Sequence, residues 1–397
     1  MSTASPPATG WKRKLAMTLT ALFRARFPAL VPALFQALVP ALFSALLPAL
    51  FAVQSVEAQT SDVRTYRVSD VPSLLAAIDR ANRTGHSIIE LAPGDYQLER
   101  TVSLRGDHIT LRSMSGDAAS TQLIGAGMRQ NPVVENLINV SGRNVALIGL
   151  TLRDAGNHLV QLNGERNADH FRMINCRLFD AYEQLFKVSK NPASDASADF
   201  GLVRDSTFAY SDELGPNDYI GGIDLHGGKE WLIENNRFEN IASPRRGAAE
   251  HAVHIWSGSA NNRVSANLIL NSDRGIGFGL TADPRRHNRG GEITGNVIIN
   301  LRTSNPFSDV GIGLESSPQT VVAGNYIFLA HDYPNAIEYR FAATRDALIT
   351  GNVVNRSIAA RDGGHAVVEG NRTSSTAESA WNRIRYLLRR TRQWLKG

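Results

Sequence analysis

Apolar and polar positions recur along the middle of the chain with a long, nearly constant period. Nine anchor positions lie 19 to 31 residues apart; each has an apolar residue three positions earlier, and eight have another two positions later. The anchors are Leu150, Cys176, Ser206, Asn236, Asn267, Asn296, Asn325, Asn352 and Asn371. Short apolar strands at such a period, without helical periodicity, predict a β-solenoid.

The position before each anchor predicts a tight bend. It holds Gly, Asn or Asp in eight units and Ala266 in the ninth. Gly, Asn and Asp tolerate a positive φ better than other residues. Six anchors are asparagines, and we expect their side chains to hydrogen-bond from unit to unit in a column.

Each unit also contains a second short strand with two inward and two outward residues. The inward pairs are apolar from Val160/Leu162 to Ile337/Tyr339, and the pattern breaks at Ala359/Arg361, where we expect the solenoid to end. Outward residues should form two columns, with neighbouring rungs ~4.8 Å apart. The first column is Gln161, Lys187, Asp224, His254, Gly277, Gly313, Glu338 and Ala360. The second is Asn163, Ser189, His226, Trp256, Gly279, Glu315, Arg340 and Asp362.

An amphipathic helix is predicted before the repeats. Residues 71–82 place Leu74, Leu75 and Ile78 on one face, after Ser69 or Asp70 as the N-cap and with a proline in the first turn. A strand, a turn and a second strand are expected to follow in residues 87–96.

The first 58 residues are predicted to be an export signal. Lys12-Arg13-Lys14 form a basic start, residues 27–53 carry no charge, and Val56-Glu57-Ala58 suits cleavage after Ala58. A retained membrane anchor is the alternative, although recurring prolines disfavour a long helix. We therefore expect a secreted, periplasmic or cell-envelope protein.

Residues 378–397 are predicted to form a basic amphipathic helix. Two interpretations stand: it contacts a membrane surface or lipopolysaccharide, or it covers the hydrophobic end of the domain at 59–377. The chain's net charge of +5 comes from its two ends, because 59–377 carries −4. That acidic middle argues against nucleic acid as a partner, and a single cysteine excludes a disulfide scaffold.

The nine repeated units resemble the right-handed parallel β-helix of the pectate-lyase-like superfamily, across roughly residues 62–375. The resemblance implies an all-β, right-handed parallel β-helix (a solenoid) whose N-terminal helix plugs one end. It also implies a choice among polysaccharide lyases, uronate epimerases, glycoside hydrolases and non-enzymatic surface or tail proteins. We expect a monomer.

The outward columns predict a carbohydrate cleft. Gly277, Gly279 and Gly313 should leave a shallow floor, beside which Trp256 can stack on a sugar. The alternative is that the glycines only permit close packing. Arg274 and basic loop residues indicate an anionic ligand. These loop residues are Arg245, Arg246, Arg285, Arg286, His287 and Arg289.

Asp224-Leu225-His226 resembles the Asp-Pro-His-Asp signature of the β-helical alginate C5 epimerases, with Leu225 and Gly227 departing from it. In that family the histidine abstracts the C5 proton. The leading hypothesis is an enzyme that acts on an acidic, uronate-containing polysaccharide by lyase or C5-epimerase chemistry. His226 or His254 would be the base and Asp224 would orient His226.

Further roles follow from the same hypothesis. Arg340 or Arg274 would neutralise the substrate carboxylate, and the other histidine, a tyrosine or water would be the acid. One alternative is a glycoside hydrolase with the carboxyl pair Glu315 and Glu338. Another is a non-enzymatic polysaccharide-binding or cell-envelope protein.

A row of carboxylates raises the question of a metal ion. Glu250, Asp273 and Asp309 each lie three residues before an inward position. They are interpreted either as a Ca²⁺ site or as turn residues that point into water.

Overall fold

The computed structural model describes residues 63–129, 134–244, 247–303 and 305–374. The export signal predicted for residues 1–58 and the amphipathic helix predicted for residues 378–397 lie outside the described residues. Both remain predictions. No helix among the described residues is long and apolar enough to cross a membrane.

Three parallel sheets form the described domain, and each turn of the chain adds one strand to each sheet. The first sheet contains Arg64–Val68, Ser87–Leu91, Ile109–Ser113, Ala146–Ile148, Arg172–Ile174, Leu202–Arg204, Leu232–Glu234, Arg263–Ser265, Glu292–Thr294, Val321–Ala323, Ala347–Thr350 and Ala366–Glu369. The second contains Gly94–Gln97, Thr121–Ile124, Thr151–Ala155, Arg177–Ala181, Thr207–Ala209, Arg237–Glu239, Leu268–Leu270, Val297–Asn300, Tyr326–Leu329, Val353–Val354 and Arg372–Thr373. The third contains Val102–Leu104, Ile138–Val140, Val160–Asn163, Phe186–Ser189, Ile223–His226, His251–Trp256, Arg274–Phe278, Ile312–Glu315, Asn335–Arg340 and Ser357–Arg361.

The smaller elements lie in the connections. Ser259–Ala260 and Asn288–Arg289 form a two-stranded sheet. Single 3-10 turns span Ala118–Ser120, Gly164–Arg166 and Pro284–Arg286. The architecture is a parallel β-helix, as the period predicted. Its interior is one continuous apolar core running from Val68 to Val354.

The predicted bends are confirmed in all nine units. The residue before each anchor has a φ between 52° and 65°, including Ala266 at 55°. A positive φ is less favourable in free energy for alanine than for glycine or asparagine. The repeat therefore imposes the bend even where the residue does not favour it.

The predicted asparagine column is also confirmed. From Asn267 to Asn371 each side-chain oxygen accepts two hydrogen bonds, from the backbone N–H and the side-chain amide of the preceding asparagine, at 2.9–3.1 Å. Ser206 extends the column by bonding Asn236 at 3.0 Å. Buried polar groups are thereby satisfied within the apolar core.

Asn296→Ala should destabilise the protein by about 2 kcal/mol, because the buried backbone N–H of Asn267 loses its acceptor and the side-chain amide of Asn267 keeps only the Ile233 carbonyl. Urea unfolding measures the loss. Asn371→Ala is the matched control, since Asn371 is partly exposed at the end of the column. An equal loss at both positions would contradict the role assigned to the column.

The predicted N-terminal helix spans Val71–Thr84. Asp70 is the N-cap: its carboxylate accepts the N–H of Ser73 at 2.8 Å, and a proline lies in the first turn. Leu74, Ala77, Ile78 and Ala81 are buried in the core. Its function as a plug for the end of the solenoid stays a prediction.

The expected break at Ala359/Arg361 is wrong by one residue. A register irregularity between Asn335 and Ile337 pairs Glu338 with Ala359 and Arg340 with Arg361. Ala359 and Arg361 are therefore outward residues, so the alternation continues one rung further than the sequence suggested.

Candidate functional site

The third sheet carries the outward columns in the predicted register up to Glu338 and Arg340. Lys187 pairs with Asp224, Asp224 with His254, and His226 with Trp256. Further along, Gly277 pairs with Gly313, which pairs with Glu338. Strand register thus brings the candidate residues together on adjacent rungs.

Asp224 is the centre of this group. Its residue is 3% exposed, and its carboxylate accepts hydrogen bonds from the Lys187 ammonium, from His226 Nε2 at 3.1 Å and from Trp256 Nε1 at 2.7 Å. A buried carboxylate needs such partners to remain ionised. We call these four residues, Lys187, Asp224, His226 and Trp256, the Asp224 cluster.

The electrostatics of the cluster favour a Lys187–Asp224 ion pair. Burial alone would raise the pKa of Asp224, but the hydrogen bond from His226 and the charge of Lys187 lower it overall. Burial opposes the charge on Lys187 as well, yet Asp224 raises its pKa. Each group thus keeps its partner charged.

His226 has partial access to solvent. Its side chain is 17% exposed, and burial lowers its pKa despite the contact with Asp224. An ionised carboxylate can only accept, so Nε2 carries the proton in the neutral ring. Nδ1 is then the nitrogen that can accept a proton.

His254 is not exposed as the sequence suggested. The residue is 1% exposed; Nε2 donates to the carbonyl of Gly279 at 3.0 Å, and Nδ1 lies 3.1 Å from Glu250 Oε2. Burial opposes its charge, but the Glu250 carboxylate raises the pKa overall. Because the His254 ring is buried, His226 rather than His254 can reach a substrate.

The indole ring of Trp256 is contacted by other side chains and is not freely available to stack on a sugar. The His254 ring stacks on it, with centroids 5.3 Å apart and 10° between the planes. The guanidinium of Arg286 lies over the same indole at 5.4 Å. Arg286, one of the basic loop residues, is exposed and contacts this cluster through Trp256. Arg245 and Arg246 lie outside the described residues.

The expected glycine floor is not open. A Cβ on Gly277 would lie 2.6 Å from the ring of His251, which covers it. Gly279 has a φ of 74°, and its Cβ would lie 1.7 Å from the carbonyl oxygen of Glu315. Only Gly313 would accept a Cβ at ordinary contact distances. The first two glycines permit close packing, which was the alternative interpretation.

Arg340 pairs with Glu315, whereas Glu338 has a separate set of partners. Arg340 bonds Glu315 at 2.8 Å and Asp362 at 2.7 Å. Glu338 is 2% exposed and accepts from three side chains: those of Tyr333, Asn335 and Arg361. These contacts fit structural ion pairs better than a pair of free carboxyl groups.

The three carboxylates proposed for calcium are also divided. Asp273 accepts from the backbone of Ser243 and Ala249 and from the Asn305 amide. Asp309 pairs with Arg274 at 3.0 Å, and Glu250 lies against His254. The structure therefore does not bring Glu250, Asp273 and Asp309 together around one cation, and Arg274 is paired with Asp309.

Three residues of this region were not identified as site residues from sequence. Lys187 precedes Asp224 in the same column, so opposite charges on neighbouring rungs were an available signal. Arg286 was visible only as one of several loop cations. His251 shares strand parity with inward Val253, and nothing in the sequence showed its ring folding over Gly277.

Buried neutral histidines give the folded state a pH dependence. Burial lowers the pKa of His158 to about 4, below its ordinary value near 6.5. The unfolded chain therefore binds an extra proton between pH 6.5 and 4, and the stability contributed above pH 6.5 is lost as pH falls through this window.

His158→Gln should flatten the melting temperature between pH 6.5 and 4 relative to the wild type. The amide can still donate to the Gln184 carbonyl, as His158 Nδ1 does at 2.9 Å. Calorimetry across the pH range measures the effect. An unchanged slope would show that other groups set the acid sensitivity.

Comparisons with known proteins show the fold. No protein-family model and no curated protein matches the chain. An alginate lyase from Paenibacillus sp. str. FPU-7 is 14% identical with a TM-score of 0.56, over 77% of this chain and 99% of that one. A DFA-IIIase from Arthrobacter chlorophenolicus A6, in complex with DFA-III, is 15% identical with a TM-score of 0.51, over 80% and 88%.

A third solved structure is also similar. The A-module of a mannuronan C-5 epimerase from Azotobacter vinelandii is 14% identical with a TM-score of 0.43, over 78% of this chain and 96% of that one. The three parallel sheets and the similarity to the Paenibacillus alginate lyase confirm the resemblance drawn from the repeats at the level of fold: the chain is a parallel β-helix.

Proposed function

We propose that the protein is a carbohydrate-active enzyme that abstracts the proton next to the carboxylate of a uronate residue, as a lyase or a C5 epimerase. The observation that supports this proposal most strongly is the Asp224 cluster, in which a buried ionised carboxylate orients a partly exposed, neutral histidine. A polysaccharide substrate agrees with the activity in the name of the Paenibacillus alginate lyase, which shares the fold.

His226 is assigned as the base. Asp224 fixes the Nε2–H tautomer, so Nδ1 can take the C5 proton. Lys187 keeps Asp224 ionised, and Asp224 in turn stabilises the imidazolium that forms. The arrangement provides proton transfer near neutral pH, because burial lowers the pKa of His226.

Arg286 is assigned to the substrate carboxylate. Its guanidinium lies over the Trp256 ring, and the indole and the His226 ring have centroids 4.2 Å apart. If a uronate carboxylate binds to Arg286, the guanidinium would stabilise the negative charge that develops when the C5 proton is removed. Arg340 and Arg274, the candidates that the sequence suggested for this role, are paired with carboxylates elsewhere.

A tyrosine is available as the acid. Tyr219 is 52% exposed and shortly precedes the strand Ile223–His226, which carries Asp224 and His226. A phenol near the cluster can protonate a leaving oxygen in a lyase, or return a proton to C5 from the opposite face in an epimerase.

The test is a screen of acidic polysaccharides with three readouts on the purified protein. A lyase produces an unsaturated uronate that absorbs ultraviolet light, and an epimerase exchanges C5 hydrogen with deuterated solvent without cleaving the chain. New reducing ends without ultraviolet absorbance would instead indicate a hydrolase. Binding without any of these changes would indicate a non-enzymatic protein, and either of these last results overturns the proposal.

Export is proposed as the route to that substrate. The support is the basic and then uncharged pattern of residues 1–58. Expression of the full chain in a bacterial host, followed by N-terminal sequencing of extracellular and periplasmic fractions, tests it. A protein that stays in the cytoplasm with residues 1–58 attached would overturn this part.

A further inference from the structure

The ring of His251 lies on the outer face of the third sheet, next to the ring of His254. Their centroids are 4.7 Å apart, and the space His251 occupies exists because Gly277 has no side chain. Gly313, on the next rung, leaves further room, since its Cβ would be 3.9 Å from His251 Nε2.

Three polar atoms meet at this point without hydrogen-bond partners among the described residues. They are His251 Nδ1, His254 Nδ1 and Glu250 Oε2, and all three are buried. His254 Nδ1 and Glu250 Oε2 lie 3.1 Å apart and attract each other when the imidazole is protonated, but the pair does not have hydrogen-bond geometry. Unpartnered buried polar atoms are rare in proteins and require an explanation.

One ligand atom from each of Glu250, His251 and His254 lies within 4.8 Å of the other two. Ligands of a tetrahedral ion with bonds of about 2.0–2.1 Å are about 3.4 Å apart, so small side-chain rotations would close the group. It is the only such trio of His, Cys, Asp or Glu side chains in the described part of the chain.

We propose that Glu250, His251 and His254 bind a divalent transition-metal ion of the Zn²⁺ class. Two imidazoles and one carboxylate are the donors that Zn²⁺ prefers, whereas Ca²⁺ takes six to eight oxygen ligands. Three protein ligands leave a fourth position for water or an oxygen of a bound molecule.

The second contact of His254 supports the assignment. Its Nε2 donates to the carbonyl of Gly279 at 3.0 Å, which directs Nδ1 toward Glu250 and His251. A backbone acceptor on the other ring nitrogen is the usual way in which proteins orient a metal-binding histidine. The ion would replace the proton between His254 and Glu250 and satisfy all three atoms.

The metal site does not depend on the proposed function. It uses none of the four residues of the Asp224 cluster, although His254 Nδ1 is 4.0 Å from Asp224 Oδ1. A metal-binding protein without activity on uronates, or an active enzyme without metal, would separate the two proposals.

The test uses the full chain, without a histidine tag, stripped with a chelator and titrated with Zn²⁺ and separately with Co²⁺. We expect one equivalent of Zn²⁺ to bind, a higher melting temperature, and visible Co²⁺ absorption typical of four or five ligands. Calcium should not compete at millimolar concentrations. Binding of Ca²⁺ in preference to Zn²⁺, or the absence of a stoichiometric site, would overturn the proposal.

Substitutions assign the site to these residues. Glu250→Gln and His251→Gln should each weaken Zn²⁺ binding on the order of 100-fold, because each removes a ligand. The matched control is His331→Gln: His331 is also buried with an unpartnered ring nitrogen but belongs to no three-ligand group of the described residues. Loss of binding in the control alone, or unchanged binding in both site variants, contradicts the assignment.

Gly277→Ala provides a test that leaves all three ligands in place. The added Cβ would meet the His251 ring at 2.6 Å, so the ring must turn away and Zn²⁺ should bind at least ~10-fold more weakly. If His251→Gln fails to fold, this variant and Glu250→Gln still decide the question through the Co²⁺ spectrum.

Discussion

His226→Gln should lower kcat on the productive polysaccharide by about 10²-fold or more, with a much smaller change in KM. A general base acts in the transition state, so its removal affects turnover more than ground-state binding. Glutamine keeps a donor for Asp224 at the position of Nε2–H, which limits structural damage. Initial rates at saturating and subsaturating substrate measure the two constants.

The pH profile separates a base from a merely structural histidine. His226 must be neutral to accept a proton, and its pKa is lowered by burial. Wild-type kcat should therefore stay constant from neutral pH into the mildly acidic range and fall only below that lowered pKa. In His226→Gln this acidic limb should disappear along with most of the activity.

His365→Gln is the control for His226→Gln, because His365 is an exposed histidine beyond the last strand of the third sheet. It should retain wild-type rates. If His226→Gln kept turnover within a few-fold of the wild type and retained the acidic limb, His226 would not be the base.

Lys187→Met should destabilise the protein by about 3–5 kcal/mol, since it leaves the buried Asp224 carboxylate without its cation. His226 and Trp256 would still donate to Asp224, but hydrogen bonds alone do not offset the burial of a charge. Chemical unfolding at pH 7 measures the loss. Lys187→Arg keeps the positive charge, so its free energy of unfolding should fall much less than that of Lys187→Met.

The pH dependence that Asp224 gives to the stability of the protein should be weaker in Lys187→Met. In the wild type the pKa of Asp224 is lowered, so its contribution is present above the ordinary value near 4 and is lost as pH falls. Without Lys187 that pKa is lowered less, although the hydrogen bond from His226 remains, so the deficit of the variant relative to the wild type should shrink as pH falls. A double variant with Asp224→Asn should recover stability at pH 7; no recovery would mean that the damage is steric.

The repeat made most of the fold predictable. Each anchor, its preceding bend and its flanking apolar residues occur nine times, so a misassigned residue in one unit is corrected by the others. The same period sets the strand register, and register alone puts Asp224, His226 and Trp256 on adjacent rungs. What the pattern could not reveal was the irregularity after Asn335, because it changes pairing without changing the apolar alternation.

Side-chain rotation, unlike register, is not encoded in the period. The sequence placed Gly277 on the outer face correctly, but it could not show that the ring of His251 would cover it. It also presented His254 as exposed, whereas the close approach of Trp256 and Glu250 buries it. Both errors concern how neighbouring side chains fill the outer face.

The asparagine column has a direction. Every side-chain amide from Asn236 to Asn352 donates to the oxygen of the following unit, so the amide dipoles are aligned head to tail along the molecule. Each link polarises the next, and stability accumulates along the axis as it does in a linear chain of coupled units. Fraying can therefore proceed link by link from the Asn371 end, because among the described residues no further asparagine follows Asn371 in the column.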